Sequence, residues 1–179
     1  MAENLRVKSS EFIDETIRVS FKFNGKEYYG FKGDTLASAL LANNVHLVGR
    51  SFKYHRPRGI MTAGSEEPNA IVQVNDNTDR TEPNVRATEL EIYEGLEASS
   101  QNCWPSVNFD IGGINNVISP FLPAGFYYKT FMWPASFWEK YEYFIRHSAG
   151  LGKSPKDKDP DIYDPVSYTH LTLPTNREV

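Results

Sequence analysis

The strongest constraint in this sequence is a segment that alternates polar and apolar residues and then runs directly into an Asn-Gly pair. Residues 16–23 have the two-residue period of a half-buried β-strand. Asn24-Gly25 supplies the residues that a type I′ turn prefers, and residues 26–31 predict the return strand. The apolar residues of the first strand share one face: Ile17, Val19, Phe21 and Phe23. A β-hairpin with one buried face is therefore predicted.

A helix is predicted directly after this hairpin. Asp34 is placed to accept the free backbone N–H groups of the first helical turn, and Asn43-Asn44 suit the helix end. The predicted buried stripe consists of Leu36, Ala37, Leu40 and Leu41. A long connection and two further strands follow, over residues 71–74 and 85–92. Hairpin, helix, long loop and two strands, in that order, are typical of an α+β fold of the β-grasp type.

Composition excludes several classes of protein. The chain is 40% hydrophobic and 23% charged, which is typical of a globular protein rather than a disordered one. Its net charge of -4 argues against a nucleic-acid partner. The longest uncharged run, residues 111–128, is broken by prolines and glycines, so no membrane partner is predicted. Charged residues interrupt the first 15 positions, so no secretory signal is predicted and a cytoplasmic location is expected.

The single cysteine, Cys103, cannot form an intrachain disulfide and cannot by itself ligate an iron–sulfur cluster. We expect it to be a small buried apolar residue. No nucleophile elbow, phosphate-binding loop, zinc-protease motif or dinucleotide fingerprint is present. The histidines are predicted to be structural or exposed: His46, His55, His147 and His170. The adjacent carboxylates Glu66 and Glu67 are predicted to form a solvated face.

Two segments are candidates for docking a partner. The first is basic, because residues 35–65 contain no Asp or Glu but carry Arg50, Lys53, Arg56 and Arg58. Anion binding, docking to an acidic partner surface and simple solvation all fit this loop, and docking is favoured. The second is an aromatic helix, predicted to begin near Pro134. Its docking candidates are Trp133, Phe137, Trp138 and Tyr141.

The aromatic helix has two possible roles. A β-grasp domain of about 90 residues has a small core, so part of the helix is expected to pack on another domain or subunit. Alternatively, the helix closes the domain's own core. The predicted organisation is a flexible amino terminus over residues 1–15, a β-grasp domain over 16–100, an extended segment and aromatic helix over 101–152, a linker over 153–166 and a non-native tail over 167–179. The tail resembles translated sequencing-adapter read-through.

Three blocks carry a specific resemblance. They are residues 49–70 (GRSFKYHRPRGIMTAGSEEPNA), residues 33–42 (GDTLASALLA) and residues 84–88 (NVRAT). Together they closely resemble the amino-terminal region of the alpha subunit of heterotetrameric sarcosine oxidase, over roughly residues 16–164. Related amine and amino-acid dehydrogenases carry a plant-type [2Fe-2S] ferredoxin domain at this place, with C-x₄-C-x₂-C spacing and a more distant fourth cysteine.

Laid on that cysteine pattern, the four ligand positions fall at Thr62, Glu67, Ala70 and Thr88. None is a thiolate, so the resemblance implies a ferredoxin-like domain that lacks the cluster ligands. It implies no catalytic, cofactor-binding or metal-binding residue in this chain.

For the complete enzyme the resemblance implies oxidation of sarcosine by oxygen to glycine and hydrogen peroxide, with transfer of the methyl carbon to tetrahydrofolate. It implies FAD, FMN, NAD and tetrahydrofolate as cofactors bound elsewhere, and a Rossmann domain after the 153–166 linker. The implied partners are the remainder of the alpha subunit and the other subunits. Two alternatives stay open: a self-standing β-grasp interaction module, or the equivalent domain of another amine or opine dehydrogenase.

Overall fold

A mixed β-sheet with a parallel pair of strands at its centre organises this chain. The computed structural model describes residues 5–6, 12–75, 81–121, 134–142 and 152. The strands in these residues are β1 (Asp14–Phe23), β2 (Lys26–Lys32), β3 (Gly49–Arg50), β4 (Pro57–Arg58), β5 (Ile71–Asn75), β6 (Thr81–Arg86) and β7 (Leu96–Ser100). Five of them form the sheet, in the order β2-β1-β7-β5-β6, and β3 pairs with β4 separately. β1 runs parallel to β7, and the other neighbours in the sheet are antiparallel.

The predicted hairpin is confirmed. β1 pairs with β2 through Phe21 opposite Tyr28 and Phe23 opposite Lys26. Asn24 and Gly25 both have positive φ, 52° and 76°, as a type I′ turn requires. The inward side chains of β1 are buried at Val19, Phe21 and Phe23, whereas Ile17 is 44% exposed because it lies in the irregular part of β1 between Asp14 and Arg18.

One helix, α1 (Leu36–Ala42), lies beside β2 and contributes to the core. The N-cap is Thr35, whose hydroxyl accepts the Ser38 N–H at 3.2 Å, so the prediction of Asp34 as the cap was wrong by one residue. Leu41 is partly exposed, and Ala39 is buried in its place. The buried core is formed by Val19, Phe21, Phe23, Leu36, Ala37, Ala39, Leu40, Val48, Ala70, Val72, Val74, Ala87, Ile92, Leu96 and Ala98.

Asp34 instead anchors a residue of the amino-terminal segment. Its buried carboxylate accepts bonds from both terminal nitrogens of the Arg6 guanidinium, and from the Phe31 N–H at 2.9 Å and the Ser38 hydroxyl at 2.8 Å. Burial raises the pKa of Asp34, but these bonds and the Arg6 charge together lower it by more. The pKa of Asp34 therefore lies below its ordinary value. Within the terminus predicted to be flexible over residues 1–15, the described residues include Arg6, which is ion-paired, and the start of β1 at Asp14.

The end of the sheet differs from the prediction. β6 stops at Arg86, and the Ala87 N–H still donates to the Ala70 carbonyl at 2.8 Å. The chain then turns away because the N–H groups of Glu89 and Leu90 donate to the Arg86 carbonyl at 3.1 and 3.2 Å. The strand predicted over residues 85–92 is therefore wrong beyond Arg86. β7, which was not predicted, lies between β1 and β5 and completes the five-stranded sheet. The α+β class is confirmed.

Beyond the sheet the described chain is mostly short turns. Residues 101–121, predicted as extended, contain 3₁₀ turns at Ile111–Gly113 and Ser119–Phe121 and a short helix, α2 (Ile114–Val117). We call residues 134–142 the aromatic segment. In it, a 3₁₀ turn at Ala135–Phe137 leads into helical residues 138–142. The predicted linker (153–166) and tail (167–179) lie outside the described residues. Within the described part of the chain, no helix has the length and apolar character needed to cross a membrane.

Candidate functional site

The loop that joins β4 to β5 closes around one buried carboxylate. We call residues 61–70 the Glu67 loop. The side chain of Glu67 projects into this loop, and the residue is 1% exposed, whereas its neighbour Glu66 is exposed. The prediction of a solvated Glu66-Glu67 face is therefore wrong for Glu67. The signal that could have identified it is its position, because Glu67 falls where the cysteine spacing places a ligand.

Each carboxylate oxygen of Glu67 bonds to a different limb of the loop. Oε2 accepts the N–H of Met61 at 2.8 Å and of Thr62 at 2.7 Å, and the Thr62 hydroxyl lies at 3.2 Å. Oε1 accepts the N–H of Asn69 at 2.8 Å and of Ala70 at 3.1 Å. One side chain thus joins the start of the loop to its end.

These bonds favour the charged form of Glu67. Burial alone raises the pKa of a carboxyl group, because it removes water from the anion. Here the backbone N–H groups of Thr62, Asn69, Met61 and Ala70 outweigh burial and lower the pKa of Glu67 from 4.5 to about 2. Glu67 is therefore an anion at neutral pH.

The four positions matched to cluster ligands lie around this same loop. Thr62 and Ala70 bond to the Glu67 carboxylate through their backbones, and the Thr88 hydroxyl donates to the Gly64 carbonyl at 2.7 Å. A [2Fe-2S] centre of this type needs four thiolate ligands. Ala70 offers no ligand atom, and the Glu67 oxygens already accept four N–H bonds, so these residues do not fit the cluster. Among the described residues, no three His, Cys, Asp or Glu side chains lie close enough to hold a metal.

We predict that the chain takes up no [2Fe-2S] cluster, because its four matched positions supply no sulfur. Anaerobic incubation with ferrous iron and sulfide, followed by desalting, should leave the protein colourless and free of bound iron. A cluster-bearing ferredoxin carried through the same procedure is the positive control. A stable visible spectrum with stoichiometric iron and sulfide would contradict this prediction.

The predicted basic loop is partly tied to its own chain. The guanidinium of Arg50 donates to the Val107 carbonyl through Nε at 2.8 Å and Nη2 at 2.6 Å, and to the His55 carbonyl at 3.2 Å. Arg56 donates to the Asn116 side chain at 2.8 Å and lies 4.8 Å from the centre of the Tyr54 ring. The Arg50 guanidinium is therefore bonded to carbonyl groups of its own chain.

The other predicted basic residues lie nearer the surface. Lys53 is half-buried, and its ammonium lies 5.0 Å from the centre of the Tyr54 ring. Arg58 is exposed on β4. Lys53, Arg56 and Arg58 therefore remain candidates for contact with a partner.

A histidine–aspartate pair fastens the basic loop to the segment after β7. Nδ1 of His55 lies 2.7 Å from Oδ2 of Asp110, whose side chain is 1% exposed. The other Asp110 oxygen accepts the N–H groups of Trp104 at 3.0 Å and Gly112 at 3.1 Å. Gly112 is required here, because a Cβ at that position would lie 2.3 Å from the His55 ring. His55 is therefore structural, as predicted.

The segment fastened in this way exposes large apolar side chains. We call residues 104–118 the apolar segment. Val107 is buried, but the other large apolar residues are substantially exposed: Trp104, Phe109, Ile111, Ile114, Val117 and Ile118. None of these exposed residues is among the docking candidates predicted from the sequence. Their three- and four-residue spacings after residue 110 were the available signal.

The aromatic docking candidates are also on the surface where they are described. Phe137 is 44% exposed and Trp138 is 49% exposed. The ring of Tyr141 lies 6.2 Å from that of Phe137, centre to centre. Trp133 lies outside the described residues.

Cys103 is half-buried, and burial raises the pKa of its thiol.

Comparisons with known proteins identify a matching domain family and several similar proteins. Residues 16–103 match the family described as the 2Fe-2S iron-sulfur cluster binding domain. The alpha subunit of sarcosine oxidase from Rhizobium meliloti (strain 1021) is 60% identical over 169 residues, which are 94% of this chain and 17% of that protein. The match lies in its amino-terminal part.

Two further comparisons cover less of the chain. The alpha subunit of sarcosine oxidase from Corynebacterium sp. (strain U-96) is 42% identical over 78 residues, 42% of this chain and 8% of that protein. The crystal structure of L-proline dehydrogenase from P. horikoshii aligns over 50% of this chain and 16% of its own, at 26% identity and a TM-score of 0.39. That score is too low to establish a shared fold.

Proposed function

We propose that this chain, a homologue of sarcosine oxidase alpha subunits, is the amino-terminal domain of such a subunit and has a structural and docking role. The observation that carries this proposal is 60% identity over 94% of the chain. The chain spans only 17% of that relative, so the activity proposed belongs to a larger protein.

The reaction proposed for the complete enzyme is the oxidative demethylation of sarcosine. Sarcosine, oxygen and tetrahydrofolate give glycine, hydrogen peroxide and methylenetetrahydrofolate. The methyl carbon goes to the folate, and the two electrons and two protons released go to oxygen. FAD, FMN, NAD and tetrahydrofolate would be bound by other parts of the complex.

The described residues of this chain suit support rather than catalysis. Catalysis needs a nucleophile, acid or base directed toward a space that a substrate can enter. The most polar buried groups here, Glu67, Asp34 and Asp110, instead bond to the chain's own N–H groups, hydroxyls and cations. Each therefore stabilises a loop or a terminus of the domain.

Docking is supported by the way the basic loop and the apolar segment are joined. Arg50 bonds to Val107, His55 to Asp110, and Arg56 to Asn116, so the two segments are held together. Together they present cationic side chains next to exposed apolar ones. Interfaces commonly combine an apolar centre with a charged rim, which guides association. We propose that this combined surface, with the aromatic residues Phe137 and Trp138, contacts the remainder of the alpha subunit.

A chimaeric enzyme tests this function. The aligned segment of the Rhizobium meliloti alpha subunit would be replaced by the 169 aligned residues of this chain. We expect the chimaera to assemble and to release hydrogen peroxide from sarcosine at a rate within roughly tenfold of the parent, because the domain supports and does not perform the chemistry. Peroxide release would be measured with a coupled peroxidase assay.

Two controls complete the chimaera experiment. The relative without its aligned segment should fail to assemble, and this chain alone, supplied with FAD and FMN, should release no peroxide above a protein-free blank. An unassembled chimaera beside an active parent would overturn the proposal. Peroxide from the isolated chain would show a catalytic site within it.

A further inference from the structure

We propose that the Glu67 loop is a carboxylate-binding site which the chain fills from within, with Glu67 in the place of the iron–sulfur cluster that the matched domain family is described as binding. This inference does not depend on which enzyme contains the domain. It rests on the donors that converge on Glu67 and on the absence of sulfur at the four matched positions.

The loop directs more hydrogen-bond donors at Glu67 than one neutral carbonyl group can satisfy. Four backbone N–H groups lie within 2.7–3.1 Å of the two Glu67 oxygens, and the Thr62 hydroxyl adds a fifth donor at 3.2 Å. A backbone or amide carbonyl has one oxygen, whereas a carboxylate has two and bears a charge that strengthens each bond. Successive inward N–H groups of this kind form an anion-binding concavity. The loop is therefore built for an anion.

The length of the Glu67 side chain explains how one residue can replace a cluster. A cysteine at position 67 would end one atom beyond Cβ, near its own backbone. The glutamate carboxylate ends farther into the loop and reaches both limbs, Met61-Thr62 through Oε2 and Asn69-Ala70 through Oε1. Sulfur atoms of an iron–sulfur centre also accept hydrogen bonds. A carboxylate in this position thus satisfies inward donors that would otherwise face the cluster.

Glu67→Ala tests the site by emptying it. The variant keeps the four N–H donors and loses their acceptor, so acetate from solution should bind and raise its melting temperature. At about 100 mM sodium acetate we expect a rise of several degrees, by mass action on the folded state. Sodium chloride at equal ionic strength and acetamide, which has the shape of acetate without its charge, should produce no comparable rise.

The matched control is Glu66→Ala, because Glu66 is the exposed neighbour of Glu67. Neither this variant nor the unmodified chain should respond to acetate. An equal response of Glu67→Ala to acetate and acetamide, or no response to acetate by the folded variant, would overturn the proposal.

A second measurement on the unmodified chain covers the case in which Glu67→Ala does not fold. Met61 lies outside the strands, the residue is 73% exposed, and its backbone N–H donates to the Glu67 carboxylate at 2.8 Å, so slow exchange of this amide would report on that bond. We expect the amides of Met61, Thr62, Asn69 and Ala70 to exchange at least roughly tenfold more slowly than that of Ala63 in the same loop. Equal exchange rates across the loop would overturn the proposal.

Discussion

Glu67→Gln should lower the free energy of unfolding at pH 7 by about 3 kcal/mol, because a buried donor that loses its acceptor costs about 1–3 kcal/mol. The glutamine carbonyl oxygen can replace one carboxylate oxygen. Its NH₂ group, however, is a donor and would face the two N–H groups on the other limb of the loop, either Met61 and Thr62 or Asn69 and Ala70. Urea denaturation of the two proteins measures the difference.

The difference should depend on pH in a defined direction. The pKa of Glu67 is lowered from 4.5 to about 2 in the folded chain, so the unfolded chain binds the proton more readily. The stabilisation is therefore fully present above pH 4.5, falls as the pH drops below 4.5, and is lost near pH 2. Glu67→Gln has no titrating group at this position, so the two stabilities should converge in acid.

Glu66→Gln is the matched control for this titration, because it removes an exposed carboxylate next to Glu67. Its free energy of unfolding at pH 7 should lie within about 0.5 kcal/mol of that of the unmodified chain, because an exposed side chain is replaced. A constant difference between Glu67→Gln and the unmodified chain from pH 7 to pH 2 would show that the Glu67 charge does not stabilise the fold.

Trp138→Ala and Phe137→Ala should each weaken docking to the remainder of the alpha subunit by about 2 kcal/mol or more if that residue anchors the interface, which is roughly a 30-fold rise in Kd. Both side chains are about half exposed, so their truncation should leave the fold of the domain unchanged. Calorimetric titration gives the Kd, and circular dichroism of each variant tests the fold.

The control for docking is Ile17→Ala. Ile17 is 44% exposed, as Phe137 is, but it lies on β1 and not in the aromatic segment. Its truncation should leave the Kd within about threefold of the unmodified chain. If all three variants bind equally well, the aromatic segment is not part of the interface.

The parts of the fold that were predicted correctly depend on neighbouring residues. The hairpin follows from alternation along β1 and from Asn24-Gly25, which fix the turn and the buried face together. The helix follows from apolar spacing, although the choice between Asp34 and Thr35 as its cap depends on Arg6, 28 residues from Asp34. The position of Arg6 beside Asp34 in the folded chain therefore leaves Thr35 as the cap.

The missed features depend on contacts between distant segments. β7 has few apolar residues, and its central place comes from pairing with β1 and β5 on either side. After Arg86, Ala87 still bonds to the distant Ala70, and the chain then turns because the N–H groups of Glu89 and Leu90 donate to the Arg86 carbonyl. In the sequence, Glu67 is a charged residue next to Glu66 in a predicted loop, which is typical of a solvated position. The four N–H groups reach its carboxylate only when the loop is folded. Sequence spacing located the position, but it gave no indication of burial.

The docking of this domain onto the remainder of a sarcosine oxidase alpha subunit is tested most directly by titrating the chain into the Rhizobium meliloti enzyme from which the aligned amino-terminal segment has been deleted. We expect saturable binding with one chain per alpha subunit and a Kd of about 1 μM or lower, equivalent to about 8 kcal/mol. No binding between the two folded proteins would contradict the proposed role.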